Sequence, residues 1–178
     1  MAMVKPFIFQ IVGYKNSGKT TVMSELIKRL KADNLNVVSI KHHGHGGKLE
    51  GSANNDSMKH LKSGALAAIV EGDGELIVQA EKAMWTLAEK IQLAAFFQPD
   101  IILIEGHKME PYPKLLLVRS KEDLDLLQLA NIQAIIGWEE IPQWQQGSLK
   151  EIPWFDVNDP CAIDWTIEYL EKDSLKNR

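Results

Sequence analysis

The sequence predicts an α/β fold in which a mostly parallel sheet lies between helical layers and one antiparallel hairpin departs from the parallel order. Three observations carry that prediction. Short apolar runs alternate with stretches of helical period, the pattern of repeated strand–helix–strand units. The run Ile101-Ile102-Leu103-Ile104 is apolar at every position, as a parallel strand covered on both faces must be. Gly72-Asp73-Gly74 joins two further apolar runs with the turn chemistry of a hairpin.

Pro6 to Val12 reads as the first strand, and Gly13-Tyr14-Lys15-Asn16-Ser17-Gly18-Lys19-Thr20 follows it in the pattern G-x-x-x-x-G-K-[ST]. A helical period then begins with Val22, Met23, Leu26, Ile27 and Leu30. Strand, loop and helix are the context in which this motif cradles phosphate, and they sharpen the fold to a three-layer P-loop NTPase sandwich. Gly13 and Gly18 let backbone N–H groups approach phosphate oxygens, and the helix adds its positive end. Lys19 supplies a point charge to the β- and γ-phosphates. The Thr20 hydroxyl is placed to ligate Mg²⁺, with Thr21 beside it as a second hydroxyl.

Asn36 to Lys41 reads as the second strand. It runs into His42-His43-Gly44-His45-Gly46-Gly47, which belongs on the same rim as the phosphate loop, because ligands of open α/β sheets sit beyond the carboxyl ends of the strands. Three readings stand for these histidines: contact with nucleotide or substrate, a mobile loop, or a transition-metal site. Asn54 to Ser57 offers caps for a short helix that Gly64 ends, with Asp56 as one such cap. Ala65 to Val70 reads as a buried strand and Glu75 to Val78 as its hairpin partner. The helix from Trp85 to Phe97 is expected to place Trp85 in the core, and it stops before Pro99.

Asp100 to Glu105 is the central strand, with Glu105 at its carboxyl end facing the nucleotide rim. Glu105 reads either as the acid that holds Mg²⁺ or orients an attacking water, or as a charged strand end. Asp100, roughly 16 Å away along the strand, is too far to share that work. Lys114 to Val118 is the next strand, and Lys114 is either a basic ligand or a solvated strand start. Glu122 to Leu129 reads as a helix, Ile132 to Gly137 as a strand, and Trp138 to Pro153 as surface loops. A short strand at Trp154 and a helix from Cys161 to Leu170 close the fold, with fraying expected from Glu171. Residues 1–172 thus read as a single P-loop nucleotide-binding domain and 173–178 as a frayed tail.

A chain of 178 residues with 45% hydrophobic content suffices for one core. The formal charge of −4 argues against nucleic acid or an anionic membrane as the main partner. The lone Cys161 has no disulfide partner, and no apolar run reaches the ~18 residues of a membrane span. A soluble, cytoplasmic protein is expected.

Taken together, Gly13 to Thr20, Lys41-His42-His43-Gly44-His45, Asp56-Ser57, Gly64-Ala65, Glu105-Gly106-His107-Lys108 and Pro113-Lys114 resemble the MobB family of molybdopterin-guanine dinucleotide biosynthesis accessory proteins. The resemblance covers nearly the whole chain. It implies a GTP-binding homodimer with weak GTPase activity and Mg²⁺ as cofactor. Such a protein helps the guanylyltransferase MobA attach GMP to molybdopterin and so form the guanine dinucleotide. It also implies that Gly13 to Thr20 bind phosphate, that Thr20 and Glu105 serve the metal, and that His42, His43 and Lys114 lie near nucleotide or cofactor. Tyr14 stands where related dimeric ATPases carry a signature lysine, with Lys15 one place later. No N-K-x-D motif reads guanine, and Asn158-Asp159 is a positional candidate for that task. Two other classes fit the loop: a small-molecule kinase, for which only Arg29, Arg119 and Arg178 are available as lid arginines, and a nickel or zinc metallochaperone using His42, His43 and His45.

Overall fold

The computed structural model describes residues 5–42, 56–138 and 151–175. His43, His45 and most of the expected loop after Trp138 lie outside them. The chain divides into two units, one made of residues 1–42 and 87–178 and the other of residues 43–86.

In the first unit, β1 (Phe7–Val12), α1 (Lys19–Ala32) and β2 (Val37–Lys41) form the opening strand–helix–strand unit. They are followed, after the second unit, by α3 (Leu87–Ala95), β5 (Ile101–Glu105), β6 (Lys114–Val118), a 3-10 helix (Lys121–Gln128), β7 (Ile132–Gly137), β8 (Trp154–Asp156) and α4 (Cys161–Leu175). The six strands lie in the order β2-β5-β1-β6-β7-β8, and every pair is parallel.

Strand alternation sorts the side chains between two helical layers. Phe9, Ile11, Leu103, Leu115 and Leu117 meet Met23, Leu26, Leu30, Ile167 and Leu170 from α1 and α4. On the opposite face, Ile40, Ile102 and Ile104 meet Leu87 and Ala94 of α3. Val12, Leu116 and Val118 meet Leu126 of the 3-10 helix on that same face. Leu26 and Leu30 are wholly buried, and burial of each such side chain contributes about 1.5–3 kcal/mol relative to exposure. The three-layer sandwich is thus present. Because β1 lies between β5 and β6, the chain leaves it toward β2 on one side and later crosses it to reach β6 on the other. That crossing is the switch point at which open α/β sheets bind ligands.

In the second unit, α2 (Asp56–Lys62) precedes β3 (Ala67–Gly72) and β4 (Glu75–Ala80), which pair antiparallel from Ala67↔Ala80 to Gly72↔Glu75. Asp73 and Gly74, with φ of 51° and 81°, make the two-residue primed turn that Asp-Gly favours. Ser57 Oγ donates to Gln79 Oε1 at 3.1 Å.

Four expectations are corrected. The first strand of the hairpin is not buried: only Ala68 is, while Ile69 is 68% exposed. Trp85 precedes α3 rather than lying in it and is partly exposed, with the Lys82 ammonium 4.5 Å from its ring centroid. The expected helix after Glu122 is a 3-10 helix from Lys121, its start capped by Asp123 accepting from the Arg119 and Ser120 backbone N–H groups. At the end of the chain, α4 continues to Leu175 with Ser174 buried, so the helix does not fray at Glu171. No helix among the described residues is long and apolar enough to cross a membrane.

Candidate phosphate and metal site

Register brings the site together before any side chain is considered. Ile11 of β1 and Lys41 of β2 both pair with Glu105 of β5. The carboxyl ends of three adjacent strands therefore lie in one row beneath the loop that starts at Gly13.

The loop is closely packed against β6. A Cβ on Gly13 would lie 2.6 Å from Ser17 Oγ and 2.7 Å from the Leu117 carbonyl oxygen, so only glycine fits there. Gly18, at φ 89°, caps α1 in the left-handed region that glycine adopts without strain. The Lys19 ammonium folds back over the loop, donating to the Tyr14 carbonyl and lying 3.5 Å from Ser17 Oγ. Burial lowers its pKa, Glu105 opposes that shift, and the nearby Lys41 adds to it. These contacts leave the cation inside the turn of backbone where a polyphosphate would lie.

Thr20 Oγ1 donates to the Glu105 carboxylate, 3.2 Å from both oxygens. Lys41 Nζ stands 3.2 Å from Thr20 Oγ1 and 3.2 Å from Glu105 Oε1. A hydroxyl and a carboxylate converging on one cation are the hard oxygen donors that Mg²⁺ takes, so the residues fit that metal. Thr21 is exposed at the next helical position.

The outer wall of the loop is braced from elsewhere. Tyr14 Oη donates to Asp125 Oδ2 at 2.6 Å, and this contact raises the phenol pKa. Lys108 Nζ lies 4.1 Å from the Tyr14 ring centroid. Arg119 Nη1 donates to the Asn16 carbonyl at 3.4 Å while its guanidinium lies 5.6 Å from the centroid of Trp138. Lys15 is exposed.

Beyond Glu105 the chain turns through Gly106 and His107, the latter at φ 53°. Gln10 holds that turn by donating to the Gly106 and His107 carbonyls at 3.1 and 2.8 Å, and its Oε1 is buried without a partner among the described residues. His107 Nε2 lies 2.8 Å from Lys90 Nζ, and its ring lies 4.4 Å, centroid to centroid, from His42. Burial first, then the charges of Lys90 and His42, push the His107 pKa down to about 4. The ring is therefore neutral near pH 7 and accepts from the Lys90 ammonium.

Lys114 does not join this group. It is wholly buried and donates to the Glu110 and Ala130 carbonyls at 2.8 and 2.6 Å, so it is neither the solvated strand start nor a free cation at the rim. It sits at the amino end of β6, level with Gln10. Asp100 accepts from the Asn36 N–H, and Asp159 accepts from the Cys161 N–H at the start of α4. Sequence reasoning gave no site role to Gln10, Lys90 or Asp125, named Lys41 and His107 only within longer motifs, and named Arg119 only as an arginine available to a lid. Lys41 carried a signal, being the last residue of a strand beside the phosphate strand. Asp125 carried none. No group of three or more His, Cys, Asp or Glu side chains able to hold a metal occurs among the described residues.

Residues 8–138 match the family model described as MobB, molybdopterin guanine dinucleotide synthesis protein B. The chain is 38% identical over 176 residues to a probable molybdopterin-guanine dinucleotide biosynthesis adapter protein of Bacillus subtilis, covering 98% of this chain and 99% of that protein. Among solved structures, Bacillus subtilis MobB matches with a TM-score of 0.76 at 36% identity, over 90% of this chain and 96% of that one. A MobB homologue from Bacillus stearothermophilus matches with a TM-score of 0.72 at 34% identity, over 93% and 98%.

Proposed function

The chain belongs to the MobB family, and from that premise we propose that it is a GTP-binding adapter with slow GTPase activity. It acts in the conversion of molybdopterin to molybdopterin guanine dinucleotide. The observation that carries the reading is the convergence of Lys19, Thr20 and Glu105 beneath a glycine-bounded loop at the sheet's switch point. Gly13 to Thr20 wrap the phosphates with backbone N–H groups, and Lys19 exchanges the Tyr14 carbonyl for phosphate oxygens. Thr20 and Glu105 hold Mg²⁺, which supplies charge neutralisation to the bound phosphates when present. Glu105 also accepts a hydrogen bond from the water that attacks the γ-phosphorus.

The guanylyltransferase MobA is the partner this reading assigns, with molybdopterin or its guanine dinucleotide as the compound handled between them and the cytoplasm as the place. The working form is a homodimer. Supporting that, the β3–β4 ribbon exposes Ile69, Val70, Leu76, Ile77 and Val78, so apolar side chains stand on both of its faces.

The test is a competition titration. A fluorescent guanine nucleotide bound with Mg²⁺ should be displaced by GTP at lower concentration than by ATP. A non-hydrolysable GTP analogue should increase retention of MobA on the immobilised protein. Equal displacement by ATP and GTP, with no retention of MobA, removes the reading.

A further inference from the structure

Lys41 occupies the position that a divalent cation would share with Thr20 and Glu105. Its ammonium is 3.2 Å from each of the two side-chain oxygens, Thr20 Oγ1 and Glu105 Oε1, that converge there. Nothing in the sheet requires a cation at that point, because the β2–β5 pairing through Lys41↔Glu105 is made by backbone alone. The carboxylate is the buried member of the pair and the lysine the exposed one, with side chains 10% and 57% exposed. Glu105 is thus fixed at the end of its strand, while the lysine stem reaches in from solvent and is free to withdraw.

We propose that Lys41 is a resident stand-in cation. In the nucleotide-free protein it neutralises Glu105, keeps the Thr20 hydroxyl turned toward the carboxylate, and excludes free divalent metal. An ammonium and a divalent metal ion cannot both sit within bonding distance of Glu105 Oε1 without like-charge repulsion. Metal enters only when it arrives with phosphates that draw both cations, and Lys41 then leaves Glu105. The device couples metal entry to nucleotide entry and keeps the empty protein from collecting metal on its own.

This inference rests on the nucleotide-binding reading above, and its test separates the two. Nucleotide-free protein is titrated with Mn²⁺ as the metal probe, with free Mn²⁺ read by electron paramagnetic resonance, for the parent, Lys41→Met and Lys41→Met/Glu105→Gln. Lys41→Met should bind Mn²⁺ about five- to tenfold more tightly than the parent, a gain discounted for the solvent screening of the lysine. The double variant should lose that gain. With GDP present, the Mn²⁺ concentration for half-maximal nucleotide retention should fall by a similar factor in Lys41→Met. Equal or weaker Mn²⁺ binding by nucleotide-free Lys41→Met overturns the stand-in role. Failure of the parent to retain GDP or GTP at saturating metal overturns the nucleotide reading and leaves the nucleotide-free comparison to judge Lys41.

Discussion

Thr20 Oγ1 and the Glu105 carboxylate meet across 85 residues of chain, 3.2 Å from hydroxyl to either oxygen. The second residue of α1 and the last residue of β5 therefore meet at one point on the rim, hydroxyl donating to carboxylate. Glu105→Gln keeps the shape and removes the charge. GTP should stay bound while its hydrolysis slows by about 10- to 1,000-fold, the span of roughly 1.4–4 kcal/mol that one electrostatic group contributes to a barrier. Single-turnover hydrolysis at saturating GTP and Mg²⁺ measures this, and a parental rate would reduce Glu105 to a strand end.

The Lys19 ammonium rests on the Tyr14 carbonyl and beside Ser17 Oγ, on the loop rather than in the core. Lys19→Ala should weaken GTP binding by about 10- to 100-fold, the equivalent of roughly 1.5–3 kcal/mol for a hydrogen bond to a charged group. The melting temperature should change little. Calorimetry with Mg²⁺ reads the first, a thermal scan the second, and unchanged affinity would remove the phosphate-loop assignment.

What the sequence made legible was whatever local chemistry sets alone. Gly13 and Gly18 announce a loop that needs glycine, Gly13 because no Cβ fits there and Gly18 because its φ of 89° is left-handed, and Lys114 to Val118 and Ile132 to Gly137 appear at the bounds read from their apolar runs. Burial was less legible. Apolar residues 66–78 look like core in sequence, but of the ribbon's described residues only Ala68 is buried, while Leu66, Ile69, Val70, Leu76, Ile77 and Val78 are exposed. Lys114 differs in the opposite sense: a lysine after proline reads as a basic ligand or a solvated strand start, yet it is buried and donates to the backbone carbonyls of Glu110 and Ala130. The partners of His107 were unreadable for a similar reason. Lys90 and Gln10 reach it from a helix and a strand whose placement only the assembled sheet defines.

The exposed ribbon bears on association. Ile69 pairs with Val78 and Val70 with Ile77 across the two strands, giving one apolar pair on each face. Sedimentation at micromolar protein with GTP and Mg²⁺ should show a dimer. Ile69→Lys combined with Ile77→Lys, one charge on each face, should shift it toward monomer. A parent mass equal to one chain at every concentration would dispose of self-association through this ribbon.

His107 gives the protein a predictable acid response. Its folded pKa of about 4 lies below the ~6.5 of an unfolded histidine. Above about pH 6.5 the imidazole is neutral in both states and adds no slope. Between about 6.5 and 4 the unfolded chain binds the proton more readily, so stability falls as pH falls through this window, and the contribution to the slope ends below it. The cause is local: burial disfavours the charged ring first, and a proton on His107 would also have to sit beside the Lys90 ammonium, 2.8 Å away, and the tilted ring of His42. His107→Asn tests this without straining the backbone, because asparagine tolerates the φ of 53° at that position. Melting temperatures at pH 7.5, 5.5 and 4.5 should fall more steeply for the parent than for His107→Asn, with the excess confined to the two acidic points. Parallel curves would mean that burial and the Lys90 contact do not hold the ring neutral in solution.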